Sequence, residues 1–351
     1  MRIAAATIIS NRRIALARAT ARSLEQHHPD LPFFTLQADG PHPAIDPARE
    51  PFRLVPLSSL GLAREAALRF RYTDAELSFA CTPHFICHLL EQGFDAVLFL
   101  KQETMVVGRL DPLLDRLAHH PVLLTPHLLA PPLGPGARRR EWNVLRAGVF
   151  NGGVLGFSRC PEAQGVLTWW RERTEQHCVL DVDDGLHFEQ RWLDFIPSLA
   201  PGCLIVRDPG INVGHWNLPE RRIEVRGGLI TACGLPCRIF RFSGYDPERP
   251  DVLSRYAPSM TAASIGPAAE LLRRYHALLE ACGWRDTWHL PYAWDRFDNG
   301  TPIRPQARRI FRLLGPESAR FGDPFRTGGP DTFYAWLRTR HPGLMEGGAD
   351  G

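Results

Sequence analysis

The first 250 residues alternate between short apolar runs and segments with apolar residues at helical spacing. Apolar runs of about four to eight residues are typical of buried strands, whereas Ala and Leu at helical spacing are typical of helices that pack on one face. The apolar runs predict strands at 2–10, 32–38, 52–56, 97–100, 122–126, 204–207 and 238–242. The helical spacing predicts helices at 14–27, 73–92, 110–118, 161–177 and 186–195.

The order of these elements opens as strand, helix, strand, strand, which suits a nucleotide-binding α/β sheet flanked by helices. After residue 250 the pattern changes to amphipathic helices at 268–282 and 306–314. We therefore expect one domain over residues 1–250 and a helical extension over residues 251–351. Residues 346–351 are expected to be frayed.

Helix 73–92 carries a start signal, because Thr73 is followed three residues later by Glu76, the spacing of a capping box. Residues 148–157 are glycine-rich between apolar residues, which lets a backbone approach a ligand or a neighbouring strand closely.

A polar triplet, Lys101-Gln102-Glu103, follows one of the apolar runs. It is predicted to lie at the carboxyl end of a central strand, where open α/β sheets bind their ligands. Lys101 is also the only lysine, although the chain has 41 Lys and Arg residues together. Such strong avoidance of lysine reflects coding bias, so the one lysine that remains indicates a specific use.

Composition excludes several classes of protein. The chain has 351 residues and a formal net charge of +3, which suits one or two domains and is too small a charge to imply a nucleic-acid partner. No apolar segment is long enough to cross a bilayer. We expect a cytoplasmic protein, with peripheral attachment to a membrane left open.

Two local clusters have alternative interpretations. Cys81, His84, Cys87 and His88 could be imagined as a metal site, but buried thiols and core histidines are the favoured interpretation. The run 138–140 is three arginines after a Pro- and Gly-rich segment, which predicts a solvated loop, with a clamp on an anionic substrate as the alternative.

Four further segments occur in a characteristic order: 97–107, Asn151-Gly152-Gly153, 189–194, and Arg241-Phe242-Ser243-Gly244. With the first strand, they resemble bacterial glycosyltransferases of the GT-A fold, close to glycosyltransferase family 8, over about residues 1–250. The resemblance implies a Rossmann-like mixed sheet and transfer of a sugar from a nucleotide-diphosphate donor, with a UDP-sugar favoured. It implies a saccharide, lipid-linked or protein acceptor, as in bacterial polysaccharide assembly, and retention of the anomeric configuration.

The chain departs from the family at the metal site. The family has Asp-X-Asp at the strand end and a later His, whereas this chain has Lys101, Glu103 and Arg241. An ammonium or a guanidinium cannot ligate Mn²⁺ or Mg²⁺, but both bind phosphate oxygens. We therefore predict no metal and no other cofactor, with the two cations taking the place of the ion.

Two other functions stay open. One is an inactive GT-A domain that serves as a binding or scaffold module, in which the changed residues mark a decayed site. The other is a nucleotidyltransferase, which is disfavoured because Ser10-Asn11-Arg12-Arg13 stands where such enzymes have a glycine-rich phosphate loop.

The resemblance also assigns residues. Gln190 is placed near the anomeric carbon, with Glu189 as the second catalytic candidate, although a polar helix face explains both equally well. The residues predicted to bind the sugar donor are Thr7, Asn11, Lys101, Gln102, Glu103, His127, Asn151, Gly152, Arg241, Ser243 and Gly244. Structural roles remain alternatives for His127 and for the Asn151-Gly152 turn.

Residues predicted to bind the acceptor are Trp216, Asn217, Trp294 and Asp298. Sugars stack on aromatic faces and hydrogen-bond to planar amides, while core packing of Trp216 is the alternative. The segment 292–300 is expected either to close over the acceptor or only to link helices. Since Lys101 is expected to face solvent or ligand, its replacement by Ala should hardly affect folding.

Overall fold

The computed structural model describes residues 1–344, so the predicted fraying of 346–351 lies outside the described residues. A seven-stranded sheet forms the centre, in the order β10-β6-β7-β4-β1-β2-β3. Its strands are β1 (Ile3–Ile9), β2 (Phe33–Gln37), β3 (Arg53–Pro56), β4 (Ala96–Leu100), β6 (Val122–Pro126), β7 (Phe150–Ser158) and β10 (Leu204–Ile205).

The central sheet is mixed. β1 pairs in parallel with β2 and β4, β2 with β3, and β6 with β10, whereas β7 runs antiparallel between β4 and β6. Smaller sheets are formed by β5 (Thr104–Val106) with β14 (Ile239–Arg241), by β8 (Leu180–Asp181) with β9 (Leu186–His187), and by β11 (Ile223–Arg226), β12 (Leu229–Ala232) and β13 (Leu235–Pro236).

Helices cover both faces of the sheet. They are α1 (Ile14–Glu25), α2 (Glu65–Arg71), α3 (Asp74–Ala80), α4 (Thr82–Glu91), α5 (Asp111–Leu114), α6 (Ala137–Ala147), α7 (Pro161–His177), α8 (Ile196–Leu199), α9 (Ala268–Ala281), α10 (Trp284–Thr287), α11 (Pro305–Leu313) and α12 (Phe333–Arg340). Alternate residues of β1 enter different cores: Ala4, Ala6 and Ile8 face one, and Ala5 and Ile9 face the other. Two buried faces explain why the strands read as continuous apolar runs.

The predicted fold class is confirmed: an α/β mixed sheet between helices, with a helical C-terminal region. The C-terminal helices pack tightly on the rest of the chain. Tyr275 of α9 stacks on Phe242 with ring centroids 3.9 Å apart, and Phe70 of α2 lies in one cluster with Phe311 and Phe333. The domain boundary near residue 250 stays a prediction.

Three predicted elements are wrong. The helix expected at 73–92 is two helices that meet at Cys81, because Pro83 has no amide hydrogen to continue the first one. The helix expected at 186–195 is a short strand followed by a 3₁₀ helix at Arg191–Phe195, since Phe188 has a φ of 50°. The arginine run expected in a loop belongs to α6.

Other local predictions hold. Thr73 and Glu76 form the capping box, with Oε2 of Glu76 accepting a hydrogen bond from the Thr73 amide at 2.9 Å. Cys81, His84 and Cys87 are buried in the core, as expected. No helix of residues 1–344 is both long and apolar enough to span a membrane.

Candidate active site

The polar residues singled out from the sequence converge on one edge of the central sheet. After β1 the chain turns to one side to form β2 and β3, and β4 lies on the other side of β1. Ligands of open α/β sheets bind at such a switch point, outside the carboxyl ends of the strands. Asn11 and Lys101 follow β1 and β4 there, His127 follows β6, and the antiparallel β7 brings its beginning, Asn151, to the same edge.

Lys101 is held in a buried ion pair. Its Nζ lies 2.5 Å from Oε1 of Glu189 and 3.9 Å from the centroid of the Phe79 ring. The side chain of Lys101 is 16% exposed and that of Glu189 is 1% exposed, so the lysine does not face open solvent as expected. Oε2 of Glu189 is buried and has no hydrogen-bond partner among the described residues.

The backbone around Lys101 is fixed from both sides. Its amide donates to the carbonyl of Gly153, and its own carbonyl accepts from the hydroxyl of Thr104 at 2.5 Å. The buried hydroxyl of Thr20 on α1 lies 2.9 Å from the carbonyl oxygens of both Gln102 and Thr104. The turn between β4 and β5 is therefore anchored independently of the ion pair.

Arg241 forms the second ion pair of the site. The pairing of β14 with β5 sets Arg241 opposite Thr104, and its Nη2 lies 3.4 Å from Oε2 of Glu103. The arginine is 2% exposed, and its Nε and Nη1 find no hydrogen-bond partner among the described residues. Burial lowers the pKa of Arg241, while the carboxylate of Glu103 acts in the opposite direction.

Two glycines make room for these charges. A Cβ atom on Gly153 would lie 1.5 Å from Nη1 of Arg241, and one on Gly152 would lie 2.9 Å from Oε1 of Glu189. The guanidinium and the carboxylate thus sit directly on the backbone of β7. Only glycine permits this approach.

Further cations lie next to the ion pairs. Burial lowers the pKa of Arg13, which lies within electrostatic reach of Arg12, Asp74, Glu103 and Arg255. Burial also raises the pKa of the Asp74 carboxyl, against the effect of Arg13 and Arg12. The charged groups around this part of the edge include five cations (Lys101, Arg241, Arg12, Arg13 and Arg255) and the carboxylates of Asp39, Asp74, Glu103, Glu189 and Asp295.

His127 is part of a network within the protein. Its Nδ1 lies 3.3 Å from the Val149 carbonyl, which can only accept, and its Nε2 lies 3.0 Å from Nδ2 of Asn151. Asn151 is oriented by Gly153, whose amide donates to Asn151 Oδ1 at 2.9 Å. His127 is thereby the neutral Nδ1–H tautomer, and burial lowers its pKa to about 4. Both ring nitrogens are used, so neither is left for the phosphate contact suggested by the sequence.

The network continues through two more asparagines. Asn212, which has a φ of 58°, donates from Nδ2 to the Thr125 hydroxyl at 2.7 Å and to Asn151 Oδ1 at 3.1 Å. Asn217 is 1% exposed and donates to the carbonyls of His127 and Asn212. The structure therefore places Asn217, expected to bind the acceptor, inside the frame that supports Asn151.

Gln190 is clamped by the backbone. Its Oε1 accepts from the amide of Gly152 at 2.9 Å, and its Nε2 donates to the carbonyl of Ala147 at 2.9 Å. The amide group thus joins β7 to the end of α6. Its neighbour Glu189 has the unpartnered oxygen, so of the two predicted catalytic residues Glu189 holds the more available polar atom.

The remaining sugar-donor candidates are dispersed along the edge. Thr7 is fully buried within β1, and its hydroxyl has no partner among the described residues. Asn11 is buried, donates to the Gly40 carbonyl at 2.7 Å and accepts from Gln37 at 2.6 Å. Gln102 and Ser243 are half-buried, and Gly244 adopts a φ of 75° against the ring of Tyr256.

The four predicted acceptor residues do not form one group. Trp216 packs on Gly214 and meets His127 edge-on, with ring centroids 5.8 Å apart. Trp294 lies on the opposite side of the edge, where its Nε1 donates to the Ala38 carbonyl and the Arg69 guanidinium covers its ring at 4.1 Å. Asp298 is on the surface, where it accepts from Thr327.

Comparison with known proteins gives distant likenesses. No family model matches the chain. The uncharacterized protein YfnF of Bacillus subtilis (strain 168) is 26% identical over 248 residues, which are 68% of this chain and 80% of that protein.

Two solved structures show weaker likenesses. The galactosyltransferase LgtC in complex with donor and acceptor sugar analogs aligns with a TM-score of 0.44 and 16% identity, over 83% of this chain and 98% of that one. The glycosyltransferase GlyE of Streptococcus pneumoniae TIGR4 aligns with a TM-score of 0.47 and 15% identity, over 85% of this chain and 67% of that one.

The residues at the edge do not suit a divalent cation. Mg²⁺ and Mn²⁺ require several oxygen ligands, whereas Lys101 and Arg241 supply none, and the carboxylates of Glu103 and Glu189 are paired with Arg241 and Lys101. Within residues 1–344, no group of three or more His, Cys, Asp or Glu side chains is arranged to hold a metal ion.

Sequence reasoning missed several residues of the site. Arg12 and Arg13 directly follow β1, so their position at a strand end was a visible signal. Phe79, Asp74 and Thr20 gave no such signal, because their helices are amphipathic like any other and only the tertiary packing brings them to the edge. Asn212 was within a segment that the sequence had marked for its amides.

Proposed function

We propose that the chain is a GT-A-type glycosyltransferase that uses a nucleotide-diphosphate sugar without a divalent cation. The observation that carries this proposal is the buried guanidinium of Arg241 at the switch point of the sheet, whose Nη1 and Nε have no hydrogen-bond partner among the described residues. A buried guanidinium nitrogen without an acceptor is costly, and a phosphate oxygen is the acceptor that it suits best.

In this proposal Lys101 and Arg241 neutralise the diphosphate as it leaves the sugar. Arg241 is fixed in place by β14 and Gly153, so it offers its planar group without further ordering. Lys101 has a flexible stem and exchanges Glu189 for a phosphate oxygen. The positive charge that a metal ion supplies in related chemistry then comes from the protein itself.

The exchange at Lys101 also releases Glu189. Its carboxylate then stands beside Gly152 with both oxygens free to stabilise positive charge on the sugar or to orient the acceptor. Gln190 keeps the neighbouring backbone in position. We further propose a UDP-sugar as substrate, a saccharide, lipid-linked or protein acceptor, and retention of the anomeric configuration.

A second candidate function is an inactive binding module. The observation that favours it is that both site cations already have a carboxylate partner, Glu189 for Lys101 and Glu103 for Arg241. In that case the ion pairs are structural and nucleotide binds weakly. Hydrolysis and binding measured together distinguish the two functions.

The test is a panel of nucleotide sugars incubated with the purified protein, in EDTA and in Mn²⁺, with release of the nucleotide as readout. We expect one donor to be hydrolysed at the same rate in both conditions and Arg241→Gln to abolish the reaction. Arg249→Gln, which alters an exposed arginine, is the matched control. Loss of activity in EDTA with recovery in Mn²⁺ would contradict metal independence. Tight nucleotide binding without hydrolysis would favour the binding module.

A further inference from the structure

Helix α6 has an unusual surface. It is an 11-residue helix without a single buried residue, and it begins after the loop at Gly136. Trp142 is 50% exposed and Leu145 is 66% exposed, and they lie three positions apart on the outward face of the helix. Leu133 just before the helix and Val149 just after it are 84% and 48% exposed.

Exposed apolar side chains are concentrated in this part of the molecule. Four of the strongly exposed large hydrophobic residues of the described chain lie between positions 133 and 149: Leu133, Trp142, Leu145 and Val149. Scattered exposed leucines are ordinary, but a cluster on one helix and its flanks indicates a surface that is covered by a partner.

The charges around this apolar face are positive. Arg138, Arg139 and Arg146 are exposed and form no ion pair with any described residue, and Arg138 lies over the Trp142 ring at 4.9 Å. Glu141 is the one acid in the helix. Arg140 is different, since its guanidinium is bound to the carbonyl of Leu133 at 2.8 Å and holds the preceding loop against the helix.

We propose that α6 and its flanks, residues 133–149, are a docking surface for an anionic lipid bilayer. An interfacial helix combines a large aromatic and a leucine on one face with arginines beside them, which is the pattern found here. The arginines bind lipid phosphates while Trp142 and Leu145 enter the boundary between headgroups and acyl chains. A protein partner would require a complementary acidic surface of fixed shape, whereas an anionic bilayer supplies negative charge directly beside apolar area.

The position of this surface relates it to the candidate active site. α6 ends at Ala147, whose carbonyl accepts from Gln190, and the chain then passes through Val149 to Asn151 at the sheet edge. α6 also packs on β9, whose hairpin carries Asp181, Asp183 and Asp184. These acids oppose contact with anionic lipid, so the hairpin is placed at the margin of the surface rather than in it.

The experiment is co-sedimentation of the intact protein with vesicles of phosphatidylcholine alone or mixed with phosphatidylglycerol. We expect binding to the mixed vesicles only, decreasing as salt is added. Neutralising an interfacial arginine costs about a fivefold loss of affinity, so Arg138→Gln, Arg139→Gln and Arg146→Gln together should reduce binding on the order of a hundredfold. Trp142→Ser with Leu145→Ser should abolish it.

Matched controls come from other exposed positions. Arg207→Gln, Arg249→Gln and Arg309→Gln remove the same charge elsewhere, and Leu229→Ser with Leu235→Ser removes exposed leucines from the small sheet β11-β12-β13. Equal loss in the controls and in the α6 variants, equal binding to neutral vesicles, or no binding at all would overturn the proposal. A dimer in gel filtration that Trp142→Ser dissociates would also overturn it, by assigning the face to a second copy of the chain. Vesicle binding needs no sugar donor, so its result is separate from that of the hydrolysis test.

Discussion

At the scale of single residues, the main feature of the candidate site is two ion pairs that pack against the same two glycines of β7. Lys101 with Glu189 and Arg241 with Glu103 lie on either side of Gly152 and Gly153. Removing one partner from a buried pair leaves an uncompensated charge, which is much more costly than losing a surface pair.

Lys101→Ala should therefore destabilise the fold, by about 3 kcal/mol, because the Glu189 carboxylate loses the one partner that it has among the described residues. This corrects the expectation from sequence that the substitution would be mild. Denaturant unfolding measures the effect, and Arg109→Ala, which breaks an exposed pair with Asp111, should destabilise the protein far less.

The double variant Lys101→Met with Glu189→Gln separates stability from binding. It removes both charges of this pair, so we expect most of the stability to return while affinity for a nucleotide-diphosphate sugar stays low. Normal affinity in the double variant would show that the lysine has only a structural role.

Sequence patterns identified Lys101 and Arg241 as a pair of cations although they are far apart in the chain, because both positions belong to recognisable motifs. They could not show that each cation has a carboxylate partner. His127, Asn151 and Asn217 illustrate the same limit: a polar side chain near a strand end suits a ligand contact and an internal hydrogen bond equally well, and only the fold shows which partner is within reach.

At the scale of elements, β7 determines the shape of the site. It is the one antiparallel strand in the central sheet, and its beginning lies where its neighbours end. Its glycines allow the ion pairs to approach the backbone. Replacing these glycines should therefore lower stability by displacing Arg241 and Glu189, rather than by changing strand propensity.

Gly153→Ala should destabilise the protein by about 2 kcal/mol, because the new Cβ overlaps Nη1 of Arg241 and the guanidinium must leave its place. Gly165→Ala is the control, since Gly165 lies within α7 with open space around it, and it should stabilise by about 0.5–1 kcal/mol. Thermal unfolding measures both. Arg241→Ala has a cost of its own, so the two substitutions are compared in a double-mutant cycle. If their effects simply add, the overlap with Arg241 is not the cause of the loss.

Helices and strands were predicted correctly where burial sets the apolar pattern. They were predicted wrongly where a single residue sets the local backbone conformation. The strands of the central sheet are apolar on both faces and were recognisable. The helix at 73–92 broke at Cys81 because of one proline, and the helix at 186–195 was prevented by the backbone of Phe188. α6 was missed because a helix without any buried residue gives no core signal.

At the scale of the whole molecule, buried neutral histidines tie stability to pH. Burial lowers the pKa of His84, His127 and His215, each to about 4 from an ordinary value of 6.5. Between these values the unfolded chain binds a proton that the folded chain does not, so the free energy of unfolding falls as the pH is lowered from 6.5 towards 4. Below the folded pKa no further loss arises from these groups.

His127→Gln should therefore reduce the change in the free energy of unfolding across that window by roughly 3 kcal/mol. Any further cost of the substitution is the same at all pH values and does not affect this difference. Comparison of chemical unfolding at pH 7 and near pH 4 measures the difference. His119→Gln, at an exposed position, should leave the dependence unchanged. Carboxyls with a raised pKa, such as Asp74, change stability in the opposite direction. The pH dependence of each variant is therefore compared with that of the unsubstituted protein. An unchanged slope in His127→Gln would mean that folding does not lower the pKa of this imidazole.

The C-terminal region shows how much of the overall arrangement the sequence could give. Two of its helices were predicted, at 268–282 and 306–314, and their packing on α1 and α2 follows from their amphipathic faces, whereas α10 and α12 were not predicted. The sequence could not predict which side of the sheet edge the segment 292–298 covers. Trp294 was assigned to the acceptor, yet it lies against Ala38, in the loop whose Gly40 also binds Asn11, because the tertiary path of the chain rather than local composition decides its place.

The isolation of Lys101 in an otherwise lysine-free chain has a practical consequence. Apart from the terminal amine, it is the only primary amine that an acylating or reductively methylating reagent can modify. Its ammonium group is enclosed by Glu189 and the Phe79 ring, so the rate of modification depends on whether that enclosure is open. Isotopic labelling by such chemistry would thus place one spectroscopic reporter at the switch point of the sheet, with the terminal amine as the only other labelled group.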